Sequence, residues 1–194
     1  MSKENQTTPK PPADCDDVSV SRKSPRRWWI FLSSFILMFG SGLYAWNYLA
    51  VGAKMRSALD SDPRNSAIEA NAHFALYFDP TSIIFDVRAA DGASCLDMLR
   101  VTFQFAANMR GSSYAKVFLQ KDGVTRFVLK GDYFQTLGDE YYRGENPLYL
   151  TRTFSENVQF PNGQAAFATW DGGWLGVMSK QIEDANSFCM QWLR

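Results

Sequence analysis

Histidine is almost missing from this chain: His73 is the only one among 194 residues. That scarcity removes whole classes of chemistry. A Ser-His-Asp triad would have to use His73, and no G-x-S-x-G elbow accompanies it. A zinc site wants clustered histidine and cysteine, whereas His73 has no such neighbour and the three cysteines, Cys15, Cys95 and Cys189, lie far apart. The haem-attachment pattern C-x-x-C-H is absent. Asp60-x-Asp62 lacks the spaced acids, glycine and closing glutamate of a calcium loop. No metal and no cofactor is expected.

Net charge is missing as well, since 20 basic residues balance 20 acidic ones. From Lys54 onward there are fourteen basic and sixteen acidic residues. A nucleic-acid reader carries a basic excess on its folded part, so no nucleic-acid partner is expected. The remaining motifs fail on context. Ser113-Tyr114-Ala115-Lys116 fits S-x-x-K in letters, but it leads into an alternating strand rather than along a helix face. Asp139-Glu140 and Glu183-Asp184 are adjacent pairs, and neighbours on a helix diverge by about 100°. Gly40-Ser41-Gly42 is no phosphate loop, because it lies inside an apolar run. There it permits close helix packing, with Ser41 and Ala45 as a small-xxx-small face for self-association. No catalytic residue can be assigned.

The longest absence is charge between Trp28 and Val51, 24 residues without Asp, Glu, Lys, Arg or His. As a helix this run extends about 36 Å, more than the ~30 Å hydrocarbon core of a bilayer. Trp28 and Trp29 mark one end; Tyr44, Trp46 and Tyr48 mark the other. Such rings favour the headgroup level. A cleaved export signal has a shorter apolar region, although Val51-Gly52-Ala53 would suit a cleavage site. The run is therefore read as a retained transmembrane helix over 28–51. Four Lys/Arg crowd residues 22–27, against Lys54, Arg56 and Arg64 beyond the run. Positive charge stays inside, so the N-terminus is expected in the cytoplasm and the C-terminal part outside.

The cysteines accord with that topology. Cys15 would stay in a reducing compartment, while Cys95 and Cys189 would lie outside as an even pair able to form a disulfide.

Residues 1–27 are polar, proline-containing and poor in large apolar groups, and are expected to be a disordered cytoplasmic tail. Residues 54–194 suffice for one α+β domain with an antiparallel sheet and flanking helices. Within it, 54–72 reads as helix broken at Ser61-Asp62-Pro63. The segments 74–78 and 82–87 read as strands turned at Asp79-Pro80. Ser94 and Asp97 suit the start of a helix running to about Arg110. Asp122-Gly123 between β-rich runs is a hairpin. Asp132 would cap a short helix, 146–154 reads as extended, and Pro161-Asn162-Gly163 would turn a second hairpin. Residues 174–192 show apolar side chains every three or four positions, a helix carrying Cys189 on its apolar stripe.

The most unusual stretch is Thr169–Gly176, where Trp170, Asp171 and Trp174 surround a tight Gly-Gly turn. With Tyr141, Tyr142 and Arg143 it is a candidate partner surface, since Trp, Tyr and Arg favour contact patches. These features together suggest a single-pass inner-membrane protein whose periplasmic domain binds or scaffolds membrane or periplasmic proteins, or a second copy of itself. The setting would be a secretion, conjugative-transfer or division assembly. The alternative is a membrane-tethered hydrolase acting on cell-wall or glycan substrates through two separated carboxylates.

Overall fold

The structure, a computed structural model, describes residues 25–194, apart from the side chains of residues 25–27 and of Trp174 and Leu175. Of the tail expected to be disordered, residues 1–24, Cys15 among them, lie outside the described residues, while 25–27 are helical rather than disordered. The chain divides into two compact units at Met38/Phe39. In the first, helix α1 (Pro25–Asn47) begins, with Trp28, Trp29, Ile30, Phe31, Phe35, Ile36, Leu37 and Met38 all exposed. A continuous helical path of 33 residues, Trp28–Asp60, is long and apolar enough to cross a membrane, and its most apolar window has a mean hydropathy of 1.5 with nothing in it buried.

The second unit starts with the end of α1. A wide π turn (Tyr48–Gly52) leads into α2 (Ala53–Asp60), and a 3₁₀ turn (Pro63–Ala67) follows. The Asp62 carboxylate caps that turn by accepting from the Arg64 N–H, and Pro63 takes the first helical position, where its missing N–H costs nothing. Then come β1 (Glu69–Ala75), β2 (Asp79–Ala89), α3 (Cys95–Asn108), β3 (Lys116–Lys121), β4 (Val124–Lys130), α4 (Gly131–Tyr142), α5 (Pro147–Phe154), β5 (Val158–Gln159) and α6 (Trp174–Trp192). The five strands form one sheet in the order β1-β2-β3-β4-β5.

The fold is α+β as expected, but the sheet is mixed. β2 and β3 run parallel, from Ser82↔Lys116 to Val87↔Lys121, while the other pairs are antiparallel. Adjacent parallel strands need a long crossover, and α3 supplies it. Three further expectations are corrected. Residues 69–72 are strand rather than helix, because Ala70 and Ala72 turn into the core while Glu69 and Asn71 face out. Residues 147–154 are helix rather than extended: Asn146 caps by accepting from the Leu148 N–H, Pro147 fits the first turn, and Leu150 and Phe154, four apart, are buried. The β1–β2 turn sits at Leu76–Phe78, and Asp79-Pro80 already belongs to β2. Asp132 lies in the first turn of α4, behind Lys130 at the cap position, and the second expected hairpin shrinks to β5 and one bridge, Gln159↔Ala165.

Other signals appear where the residues place them. Ser94 and Asp97 form a reciprocal capping box at α3. The β3–β4 turn uses Asp122 and Gly123, both at positive φ, as a tight hairpin demands. One face of the sheet packs under the helices through an aromatic chain. Phe85 meets Phe105 and Trp192 at 5.6 and 5.2 Å, and Phe188 meets Phe127, Phe154 and Trp192 at 5.0, 5.1 and 5.4 Å. Each buried ring removes enough apolar area to contribute about 2–3 kcal/mol. Trp192 also donates its indole N–H to the Gln120 carbonyl at 3.0 Å, so the last turn of α6 is pinned to the sheet.

Cys95 and Cys189 are bonded, with Cα atoms 5.4 Å apart and a separation of 94 positions in sequence. The bond ties the start of α3 to the end of α6. Breaking it with Cys95→Ser and Cys189→Ser frees a long loop in the unfolded chain and should lower stability by about 4–5 kcal/mol, read from urea midpoints of the oxidised and substituted proteins. Close approach of α3 and α4 depends on Gly138, where a Cβ would stand 2.4 Å from the Ala106 carbonyl oxygen. Alanine is the better helix former by about 1 kcal/mol, yet Gly138→Ala should destabilise by about 1–3 kcal/mol because the backbones must part. A rise in the urea midpoint would contradict that close packing.

Candidate functional site

The site is built around Asn47, at the end of α1. Its side chain is almost fully buried, at 3 % exposure. The carboxamide oxygen accepts the Phe74 N–H at 2.7 Å, and the amide nitrogen donates to the Tyr77 carbonyl. One side chain thus closes both ends of the β1–β2 turn onto the helix. Phe74 lies opposite Ile83 of β2, and its N–H is turned to Asn47 on the helix side, so Asn47 supplies the hydrogen bond that a further strand would otherwise give. Trp46 adds a ring contact to Phe74 at 4.9 Å. The turn itself is strained: Leu76 and Tyr77 adopt left-handed φ values of 51° and 63°. Without glycine, each such residue costs about 1–2 kcal/mol. Tyr77 stacks flat on His73, centroids 4.4 Å apart, and His73 contacts the Phe74 carbonyl through Nδ1 at 2.8 Å. Just past the tip, the Asp79 carboxylate accepts from the Thr81 hydroxyl and N–H, which holds it below the usual carboxylate range.

Between the helix and β1 runs a groove of about 720 Å³. Its helical wall is Tyr44, Tyr48, Gly52, Met55, Arg56 and Leu59, spaced by three or four residues along one face. Its other wall is Ile68 to His73, with Asp86 and Arg88 from β2. β1 is the sheet's first strand, and among the described residues β2 is its one strand partner, so its outer edge faces the helix. Gly52 keeps the two close: a Cβ there would stand 3.6 Å from the Ala72 carbonyl oxygen and 3.1 Å from the Tyr48 ring.

The groove carries both signs of charge. Arg56 pairs with Asp60 at 3.2 Å on the exposed rim. Asp86 is buried; it pairs with the half-exposed Arg88 and accepts the Gly123 N–H at 3.0 Å. Glu69 is the third acid. The far end is closed by Asn65, 1 % exposed, whose amide donates to the Ala58 carbonyl and the Gln104 side chain while its oxygen accepts from Arg100. Arg100 also reaches Asp97 and Asp62. The Arg64 guanidinium holds the Asp62 carboxyl far below the usual range, and the Ser94 hydroxyl and N–H lower that of Asp97. This network joins α2, the 3₁₀ turn and α3.

The aromatic surface expected from sequence falls into two groups with separate sets of neighbours. Trp170 is half-buried on α6, donating to Asp184 at 2.7 Å with Lys180 over its ring. Asp171 beside it is exposed, and the side chain of Trp174 lies outside those described. Tyr141 packs on Phe103, and Arg110 lies over the exposed ring of Tyr142, both at the end of α4, where Arg143 bonds back to the Asp139 carbonyl. None of these residues lines the groove. Among the described residues, no group of three His, Cys, Asp or Glu side chains gathers as a metal site would require.

Sequence reasoning passed over Asn47 as one more residue of an apolar run. Its signal was there: a lone carboxamide next to interfacial aromatics, in a stretch where every polar group must find a partner. The groove left no local signal, because its walls, within Tyr44–Arg88, are a helix and a strand whose approach to each other depends on packing that neither segment's own pattern encodes. No family model, no curated protein and no solved structure matches the chain.

Asn47→Leu keeps the volume but strands the Phe74 N–H and the Tyr77 carbonyl. The domain should lose about 1–3 kcal/mol in urea unfolding. An unchanged midpoint would mean that the clamp holds nothing.

Proposed function

We propose that this is a single-pass inner-membrane protein of a Gram-negative envelope, with its N-terminus in the cytoplasm and its domain in the periplasm. The domain binds a protein partner, or a second copy of the chain, in an envelope assembly such as a secretion, conjugative-transfer or division machine. The observation that carries the reading is the uncharged, outward-facing stretch of helix that begins at Trp28, whose most apolar window has no buried residue. The Cys95–Cys189 bond supports an oxidising space for the domain. The groove supports binding: an extended segment of a partner can lie along it, with its side chains set against Tyr48 and Arg56 on the helical flank and Glu69 and Asn71 on the β1 flank. Tethering raises the domain's effective concentration for a partner in the same membrane.

The alternative, a tethered hydrolase using two carboxylates beside Trp170 and Trp174, draws less support. The acid nearest Trp170, Asp184, accepts the indole N–H, and the groove acids Asp60 and Asp86 are held by arginines.

A C-terminal alkaline phosphatase fusion, active when exported, tests the topology, and a photo-crosslinking residue at Asn71 tests the groove. The reading expects an active fusion and a discrete membrane-protein or self adduct from Asn71 that is absent when the crosslinker replaces exposed Glu145. Phosphatase activity lost while a cytosolic reporter works, or identical adducts from both positions, would overturn it.

A further inference from the structure

The β1–β2 tip presents Leu76, Tyr77 and Phe78 at 71, 47 and 63 % exposure, three large apolar side chains in succession. A turn of this kind normally uses Gly, Asn or Asp, which take left-handed backbone without strain and suit water. Here Leu76 and Tyr77 hold left-handed φ; the Leu76 side chain buries little against the domain, and Tyr77 rests one face on His73 yet stays about half exposed. Packing within the chain does not account for that choice.

The position of the tip does. β1 runs alongside the helix in the opposite direction: Ala72 lies by Gly52, and Phe74 and Tyr77 by Asn47. The strand therefore heads back toward the apolar part of α1, and its tip arrives at the level of Trp46 and Tyr44, both exposed. All of these residues belong to the unit Phe39–Arg194, so this geometry is internal to one compact body. Aromatic rings at the end of a membrane helix sit at the headgroup layer. Within this unit the exposed rings of Tyr44 and Trp46 stand beside the tip, and the Trp46–Phe74 ring contact ties Trp46 to the hairpin that carries it.

We propose that Leu76, Tyr77 and Phe78 form a second membrane contact, a wedge entering the headgroup layer of the same bilayer that the helix crosses. The proposal rests on the membrane reading above. With the helix as one point and the tip as another, the domain cannot swing freely about its tether, and the groove keeps a set orientation to the membrane. Asp79, next to the tip, limits the depth to the headgroups, since a carboxylate does not enter hydrocarbon.

The test uses the full chain with Cys15→Ser, reconstituted in phosphatidylcholine vesicles, and an environment-sensitive fluorophore on Leu76→Cys or, as a control, on Val124→Cys at the exposed β3–β4 turn. Flotation with the vesicles after carbonate washing checks the helix separately. The wedge predicts blue-shifted emission at position 76 and quenching by a headgroup nitroxide lipid several-fold stronger than at position 124. Equal weak quenching at both positions in protein that floats would overturn the wedge and leave the membrane helix standing. Protein that fails to float would overturn both. A disulfide-linked dimer of the unlabelled Leu76→Cys protein on air oxidation, with no lipid quenching of the labelled protein, would assign the tip to a second copy instead, and would likewise overturn the lipid wedge.

Discussion

The two hydrogen bonds of the Asn47 side chain hold the rest of this arrangement in place. A carboxamide carries an acceptor and a donor on one planar group, so it can accept from an edge-strand N–H and donate to a carbonyl three residues further on, and here it does both while buried. An unpaired backbone N–H or carbonyl at that depth costs more than most contacts on the surface contribute. The helix end and the first hairpin are therefore coupled, and everything lined by them inherits that coupling: the groove, the β1 edge that lines it and the level of the tip.

The coupling explains a feature that a simple tethered domain would not need. In a tethered domain the helix ends and a linker takes over. Here α1 passes through a π turn directly into α2 without a break, and Val51 and Met55 from that stretch belong to the domain core. The polar network around Asn65 and Arg100 then fastens α2 to α3. A π turn adds a residue to the helical repeat and rotates the helix beyond it. In this chain Val51 and Met55 beyond its start reach the core, Met55 also lining the groove beside Tyr48 and Gly52.

Much of the domain was legible in its residues, and the failures share one cause. Ser94 and Asp97 announced α3, Asp122-Gly123 announced the β3–β4 turn, and the three-to-four spacing announced α6 from Trp174 to Trp192, because each signal is local. The Cys95–Cys189 bond followed from an even pair and a compartment. By contrast, Glu69-Ala70-Asn71-Ala72 contains good helix formers, and only pairing with β2 makes it a strand. Leu148-Tyr149-Leu150-Thr151 alternates like a strand, yet Asn146-Pro147 starts a helix there and Phe154 anchors it. Parallel pairing of β2 with β3 is a property of the crossover and not of either strand. The site was the least legible part. The expected aromatic residues remained in two separate places, while the groove arose where a membrane-proximal helix met a strand whose edge had no partner.

The central claim is that helix and hairpin form one body at Asn47, and amide hydrogen exchange of the full chain in phosphatidylcholine bilayers tests it most directly. The account predicts that the Phe74 amide exchanges as slowly as core amides such as that of Phe85, because the same closed structure protects both. Exchange of Phe74 at the rate of the exposed Gly163 turn, with Phe85 still protected, would contradict it and leave a helix and a domain joined only by the chain.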